Sequence, residues 1–178
     1  MPEILSERLL YRELHKRDVT NKYVNWLNDS EINRYLEVRH TPQTIESCIE
    51  FVKQMDSDPT QHLFGMFLIE NGEHIGNIKL GFINQHHCRG QLSLFIGDKE
   101  CWGKGYASEA VIAITKWGFE YLGLEKIEAG CCEENMVSRN VFLKAGYREE
   151  GYFRKHALIN GHRVGSYWLG ILPDEISE

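Results

Sequence analysis

Residues 102–107 read Trp-Gly-Lys-Gly-Tyr-Ala. They lie between an apolar run, Leu92–Ile96, and a helix-periodic run that opens at Ala107. This order predicts a strand, a glycine-rich turn and a helix start, which together form a backbone cradle for a phosphate. Gly103 and Gly105 reach positive φ at little cost and leave room for a ligand to approach the main chain. The N–H groups of the first helical turn have no intrahelical partner, and with the positive end of the helix dipole they point at an anion.

Spacing separates the candidate phosphates. A P-loop needs Gly-x-x-x-x-Gly-Lys-Ser/Thr, and Lys104 lacks both the first glycine and the following hydroxyl. A dinucleotide fingerprint needs Gly-x-Gly-x-x-Gly early in a βαβ unit. Gly103, Gly105 and Ser108 supply two of its three glycines, with Glu125 near the place of a ribose-binding acid, but about a hundred residues precede the turn and no βαβαβ repeat surrounds it. The remaining readings are the pyrophosphate loop of coenzyme A acyltransferases, Arg/Gln-x-x-Gly-x-Gly/Ala, and a glycine-rich helix start with no ligand. Gly105 and Ala107 fill the last two positions of that loop, and Trp102 replaces its usual first residue.

The second half of the chain adds a motif. From Asn135 it reads Asn-Met-Val-Ser-Arg-Asn-Val-Phe-Leu-Lys-Ala-Gly-Tyr, about 30 residues after the turn. This resembles the Asn-x-x-Ser/Ala-x-x-Leu-Tyr-x-Lys-x-Gly-Phe segment of GNAT N-acetyltransferases. The opening Ser6-Glu7-Arg8-Leu9, together with Glu150-Gly151, Arg154, Asn160-Gly161 and Gly170-Ile-Leu, is similar to the ribosomal-protein N-terminal acetyltransferase branch. The resemblance spans roughly residues 6–172. It implies an α/β (α+β) fold with a mixed, mostly antiparallel sheet flanked by helices, in which two central strands splay to form a coenzyme A slot.

Composition is compatible with this. The 178 residues suit one domain, 1–178, large enough to bury a sizeable core. A net charge of −6 without a long basic cluster argues against a nucleic-acid binder and suits a cationic amine weakly. No stretch approaches the ~20 apolar residues of a membrane span, and the N-terminus lacks a signal peptide's basic start and apolar core. The five cysteines include the adjacent Cys131-Cys132 and no C-x-x-C, a poor disulfide framework that fits a reducing cytoplasm. His86-His87-Cys88 lacks a second ligand pair at a recognisable spacing, so no metal is expected. In a strand, alternation buries one of Cys131 and Cys132 as a small apolar residue.

Periodicity predicts the order β-α-α-β-β-β-α-β-α-β-β. Glu7–Leu14 reads as a strand, and Asp18–Leu36 and Thr41–Met55 as helices, the second capped by Thr41 with Pro42 at its first position. Leu63–Glu70 and His74–Phe82 read as a hairpin with a type I′ turn at Asn71-Gly72. Strand Arg89–Ile96, helix Ala107–Leu122, strand Lys126–Glu133 and helix Asn135–Ala145 follow. Tyr152–Ile159 and Arg163–Ile171 close the chain as a hairpin around Asn160-Gly161, whose edge could pair two copies; the expected state is monomer or homodimer.

The resemblance implies acetyl transfer from acetyl-CoA to a primary amine. Phe95 and Ile96 fall at the splay, where a main-chain N–H can bond the thioester oxygen; as side chains both read equally as buried strand residues. Gly103, Lys104, Gly105, Tyr106, Ala107 and Ser108 would hold the pyrophosphate, Asn135 the pantetheine arm, and Asn140 and Lys144 the nucleotide end. Ser138 is the candidate proton donor to the departing thiolate, since Phe142 stands where many relatives carry a general-acid tyrosine. Local roles compete: Asn135 is also a natural N-cap and Ser138 a helix-start hydroxyl.

Candidate bases are Glu133, Glu134, Glu150, His86 and His87. A peptide α-amine titrates near ~7.7–8.0 against ~10.4 for an alkyl amine, so it needs only a weak base or water. Trp26, Asn28, Glu31, Ile32, Arg34 and Tyr35 fall in the two-helix segment that covers the acceptor cleft in relatives. The expected acceptor is a protein or peptide N-terminus, with an amino-sugar nucleotide or a polyamine as alternatives; a non-catalytic acyl-CoA-binding module and a dinucleotide oxidoreductase are the competing classes.

Overall fold

The computed structural model describes residues 3–176. Its strands are β1 (Ile4–Leu5), β2 (Leu9–Glu13), β3 (His62–Leu68), β4 (His74–Asn84), β5 (Arg89–Ile96), β6 (Lys126–Cys132), β7 (Arg148–Ile159) and β8 (His162–Ile171). Its helices are α1 (Asn21–Asn28), α2 (Ile45–Ser57), α3 (Tyr106–Leu122) and α4 (Met136–Lys144). The strands form one sheet in the order β1-β2-β3-β4-β5-β6-β8-β7, antiparallel throughout except for the parallel pair β5–β6.

Both faces of the sheet are covered, and the side chains sort accordingly. On one face Ile78, Leu80, Leu92, Ile127, Ala129 and Cys131 pack with Ala110, Val111 and Ile114 of α3 and Phe142 of α4. On the other, Leu14, Leu63 and Phe95 meet Tyr23, Trp26 and Leu27 of α1 and Cys48 and Val52 of α2. Strand β3 runs between the two layers, which is why Leu63 through Leu68 are all buried and the apolar run does not alternate. Each fully buried large apolar side chain contributes about 1.5–3 kcal/mol relative to exposure. A buried hydrogen bond of 2.8 Å between the Thr115 and Tyr147 hydroxyls ties α3 to the end of α4.

Local chemistry moves several boundaries. The cap of α2 is Thr44, not Thr41: its hydroxyl accepts from the Ser47 N–H while Ser47 Oγ accepts from the Thr44 N–H, and Pro42 lies outside the helix. Only Asn21–Asn28 of the expected Asp18–Leu36 helix forms, because Asp29 caps turns over 29–36 through its own side chain. The β3–β4 connection is a wider loop, not a type I′ turn: Gly72 N–H donates to Leu68 O, and Asn71 does not take the positive φ that type I′ requires. That turn is found instead between β7 and β8, where Asn160 (φ +47) and Gly161 (φ +82) join the paired Ile159 and His162.

Strand β7 is an outer edge, and its pairing with β8 shifts at Glu150 and again between Phe153 and Ala157, with Lys155 at φ +53. Such bulges interrupt the row of backbone donors and blunt the edge. All five cysteines are free thiols, with Cys131 buried and Cys132 partly exposed. Among the described residues no helix is long and apolar enough to cross a membrane, and no group of three or more metal-ligating side chains is assembled.

Candidate active site

The parallel pair β5–β6 is short. Arg89, Gly90 and Gln91 align with Lys126, Ile127 and Glu128, and pairing then stops. Beyond that point β5 stays with β4 as far as Ile96, opposite Gly76, while β6 stays with β8 as far as Cys132, opposite Ser166. Each strand keeps its outer ladder and loses only its inner one. The result is a wedge-shaped gap between Leu92–Ile96 and Ala129–Cys132, the splay expected from the sequence.

Register assigns the backbone donors in that gap. Gly97 N–H donates to Ile75 O at 2.8 Å, and alternation by two places Phe95 N–H in the same β4 ladder. The N–H groups of Leu94 and Ile96 therefore face the gap. Of the expected pair Phe95 and Ile96, the structure leaves Ile96 as the available donor and turns Phe95 into a packing residue against Trp26. The Ile96 carbonyl, also on the gap side, accepts from the indole N–H of Trp102 at 2.9 Å.

Trp102 opens the glycine-rich turn. Gly103 (φ +73) and Gly105 (φ +86) are both left-handed, and a Cβ at Gly103 would meet open space. Gly105 caps α3 without any side-chain partner, so the first-turn amides from Tyr106 to Ser108 keep their donors. Lys104 is exposed, whereas Tyr106, Ala107 and Ser108 are half-buried. The loop is anchored from the N-terminal strand: Arg8 Nη1 donates to Lys104 O at 2.9 Å, and Arg8 forms an ion pair with Glu109 of α3 at 2.7 Å.

Helix α4 borders the gap on the β6 side. Asn135 Oδ1 caps it by accepting from Ser138 N–H at 3.2 Å, and Ser138 Oγ lies 3.5 Å from the Cys131 thiol on the α4-facing side of β6. Asn140 and Lys144 sit one turn apart on the exposed side of the same helix. Phe142 is buried, with its ring edge-on to Tyr147 at 5.0 Å, a core position with no hydroxyl partner to spare.

On the opposite face the 29–44 segment reaches across to the β7–β8 hairpin. Arg34 pairs with Glu134 at 3.6 Å, Glu134 pairs with His162 Nε2 at 2.8 Å, and Arg39 Nη2 donates to Leu158 O at 3.4 Å. Burial raises the Tyr35 pKa, and its hydroxyl lies in the field of Arg34, Glu134 and Cys132. The hydrogen bond to Glu134 raises the His162 pKa.

The expected bases separate by position. His86 and His87 occupy the turn before Arg89, at the paired end of β5 and a strand's length from the open end of the gap. Glu133 is committed to structure: it accepts from Tyr152 Oη and from Gly165 N–H, and those bonds hold its pKa low. Glu150 pairs with Lys126. Glu134, just beyond the end of β6, is paired with His162 and Arg34. The pairing of Arg8 with Glu109 left no signal in the sequence, because partners a hundred residues apart leave no periodicity, and Trp102, read there as a departure from the loop's usual first residue, gave no hint of its bond to Ile96.

A mixed sheet opened between two parallel neighbours, with an amide-lined turn beside the opening, is the architecture that the resemblance to GNAT acetyltransferases implies. Comparison with known proteins agrees. The acetyltransferase (GNAT) domain family model matches residues 8–148. The chain is 30% identical to the uncharacterized N-acetyltransferase p20 of Bacillus licheniformis, over 98% of each chain. A solved acetyltransferase of the GNAT family from Bacillus anthracis superposes with a TM-score of 0.84 at 29% identity, covering 98% of this chain and 100% of that one. A spermidine N-acetyltransferase from Vibrio cholerae, solved with CoA and spermine, gives a TM-score of 0.85 at 23% identity, covering 96% and 98%.

The chain belongs to the GNAT acetyltransferases. It is an acetyl-CoA-dependent N-acetyltransferase acting on an amine, rather than a non-catalytic acyl-CoA module or a dinucleotide oxidoreductase.

Proposed function

We propose that the chain acetylates a protein or peptide N-terminal amine, as the ribosomal-protein branch does, by direct attack in a ternary complex. In this reading the amides of Gly103 through Ser108 take the diphosphate of acetyl-CoA, with Lys104 adding charge. Asn140 and Lys144 face the nucleotide end and Asn135 the pantetheine arm. The thioester carbonyl oxygen lies on the Ile96 N–H. The amine nitrogen attacks the carbonyl carbon, the C–S bond breaks, and Ser138 gives its proton to the thiolate and regains one from solvent. The amine's surplus proton leaves through Glu134 and His162 or water. Holding the reactants in line can supply up to ~7–11 kcal/mol, so few catalytic side chains are needed.

One observation carries the acceptor choice. Around the opening, carboxylates already hold cations: Asp29 and Glu31 share Lys99, Asp98 holds Lys22 and Glu134 holds Arg34. A polycation must displace these partners, whereas a single α-amine, partly neutral near pH 8, need not. The second reading, a polyamine acceptor, draws on the spermine-bound neighbour and on the net charge of −6. We further read residues 1–178 as one domain, since the sheet runs unbroken from β1 to β7, and place it in a reducing cytoplasm, in keeping with its free thiols.

The test is a panel of peptides, spermidine, spermine and amino-sugar nucleotides incubated with acetyl-CoA and read by mass spectrometry. Acetyl gain at peptide α-amines supports the reading. Gain confined to polyamines or sugars overturns it.

A further inference from the structure

The N-terminal segment Ser6–Arg8 and the start of α3 form one hydrogen-bonded unit. Glu109 Oε2 is gripped by Arg8 through Nε at 2.8 Å and Nη2 at 2.7 Å. Glu109 Oε1 accepts from the Arg8 main-chain N–H at 2.7 Å and from Ser6 Oγ at 2.6 Å. The third guanidinium nitrogen, Nη1, donates to Lys104 O inside the glycine-rich turn, and the guanidinium carbon lies 4.5 Å over the Tyr106 ring. A Cβ on Gly105 would sit 3.4 Å from Arg8 Nη2. Arg8 thus touches the turn at 104, 105 and 106 while being fixed by an acid one helical turn further on. Burial alone would raise the Glu109 pKa, but the hydrogen bonds from Ser6 and Arg8 outweigh it and keep the acid ionised.

We propose that Arg8 is a positioning residue for the acyl donor: clamped by Glu109, it holds the 103–106 turn in its anion-accepting shape for the coenzyme's diphosphate. The proposal rests on the reading that this turn holds the diphosphate. A loop with two left-handed glycines has many conformations available in isolation, and ordering it costs entropy at each residue. The planar guanidinium removes that freedom before the ligand arrives, since it accepts no other geometry at a carboxylate, a carbonyl and a ring face together. Lysine cannot make the same set of contacts.

Calorimetry and kinetics with two donors, acetyl-CoA and S-acetylpantetheine, which lacks the diphosphate, test this. In Arg8→Ala the affinity for acetyl-CoA is expected to fall about tenfold or more, with KM for S-acetylpantetheine unchanged; Arg8→Lys, which keeps the charge, falls between. Equal losses on both donors, or no loss on acetyl-CoA in a protein with intact circular dichroism, would overturn the role. Should Arg8→Ala fail to fold, Arg8→Lys and Glu109→Gln carry the same comparison. A wild-type protein that binds both donors equally overturns the diphosphate assignment itself, and the Arg8 proposal with it.

Discussion

The indole N–H of Trp102 donates to the main-chain carbonyl of Ile96 across 2.9 Å. One hydrogen bond thereby links the glycine-rich turn to the strand end whose N–H faces the gap, and so fixes the spacing between the two ends of the proposed donor site. The usual first residue of the pyrophosphate loop is Arg or Gln; here the indole does the tethering. Trp102→Phe keeps the ring and removes the donor. A neutral hydrogen bond contributes about 0.5–1.5 kcal/mol, so we expect KM for acetyl-CoA to rise up to about tenfold with a fall of at most a few degrees in melting temperature. An unchanged KM would show that the tether plays no part.

Gly105 stands at φ +86 with Arg8 Nη2 within 3.4 Å of a would-be Cβ. Gly105→Ala therefore strains the backbone by about 1–2 kcal/mol and crowds the guanidinium. We expect weaker acetyl-CoA binding by calorimetry and a modest fall in melting temperature. Gly123→Ala, also at positive φ (+62) but at the far end of α3, supplies the control: strain of the same kind with acetyl-CoA affinity retained.

Ser138 and Glu133 separate catalysis from scaffolding. Ser138→Ala removes the proposed proton donor while leaving the Asn135 cap, which uses the Ser138 main-chain N–H. A general acid contributes about 10²–10⁴-fold, so kcat is expected to drop by at least the lower figure with KM for acetyl-CoA retained. Glu133→Gln disturbs the bonds from Tyr152 and Gly165 that brace β6 against the hairpin. It should lower thermal stability and leave kcat at the wild-type level; a kcat loss matching that of Ser138→Ala would restore Glu133 as a base.

Much of this site was legible in the chain, for physical reasons that differ by residue. The turn at 102–107 announces itself because only glycine takes positive φ cheaply, and the Asn135 segment because an N-cap and a C-terminal glycine frame its helix. The wedge between β5 and β6 followed from resemblance alone, since no residue spells out where two strands stop pairing. Thr41-Pro42 misled because Thr44 and Ser47 form the better reciprocal cap three residues on. Asn71-Gly72 has the composition of a type I′ turn, but Gly72 instead closes the loop onto Leu68. Arg8 with Glu109, and Arg34 with Glu134, are long-range pairs that only the fold brings together.

His74 gives the fold a pH dependence of defined sign. Its ring packs against Tyr23, Trp26 and Phe67, with Nε2 2.8 Å from Asn77 Oδ1 and 3.0 Å from Gly76 O. Burial lowers its pKa below 6.5 in spite of those acceptors. Below pH 6.5 the unfolded chain binds a proton that the folded one refuses, so stability is lost from there down to the folded pKa, by about 1.4 kcal/mol for each tenfold weakening of proton affinity in the fold. His62 moves in the same direction and His162 in the other, so the comparison that isolates His74 is the wild type against His74→Phe. Between pH 7 and 5 the melting temperature should fall more steeply in the wild type; parallel slopes would mean that His74 protonates freely in the fold.

The central claim is that a thioester coenzyme threads the wedge between β5 and β6 with its diphosphate on the amides of residues 103–108. A crystal structure with acetyl-CoA measures this directly. We expect diphosphate oxygens within hydrogen-bond distance of those amides, Arg8 in place beside Gly105, and the thioester oxygen on the Ile96 N–H. A diphosphate bound elsewhere, or β5 and β6 paired through Ile96 and Cys132 with no passage between them, would contradict the account.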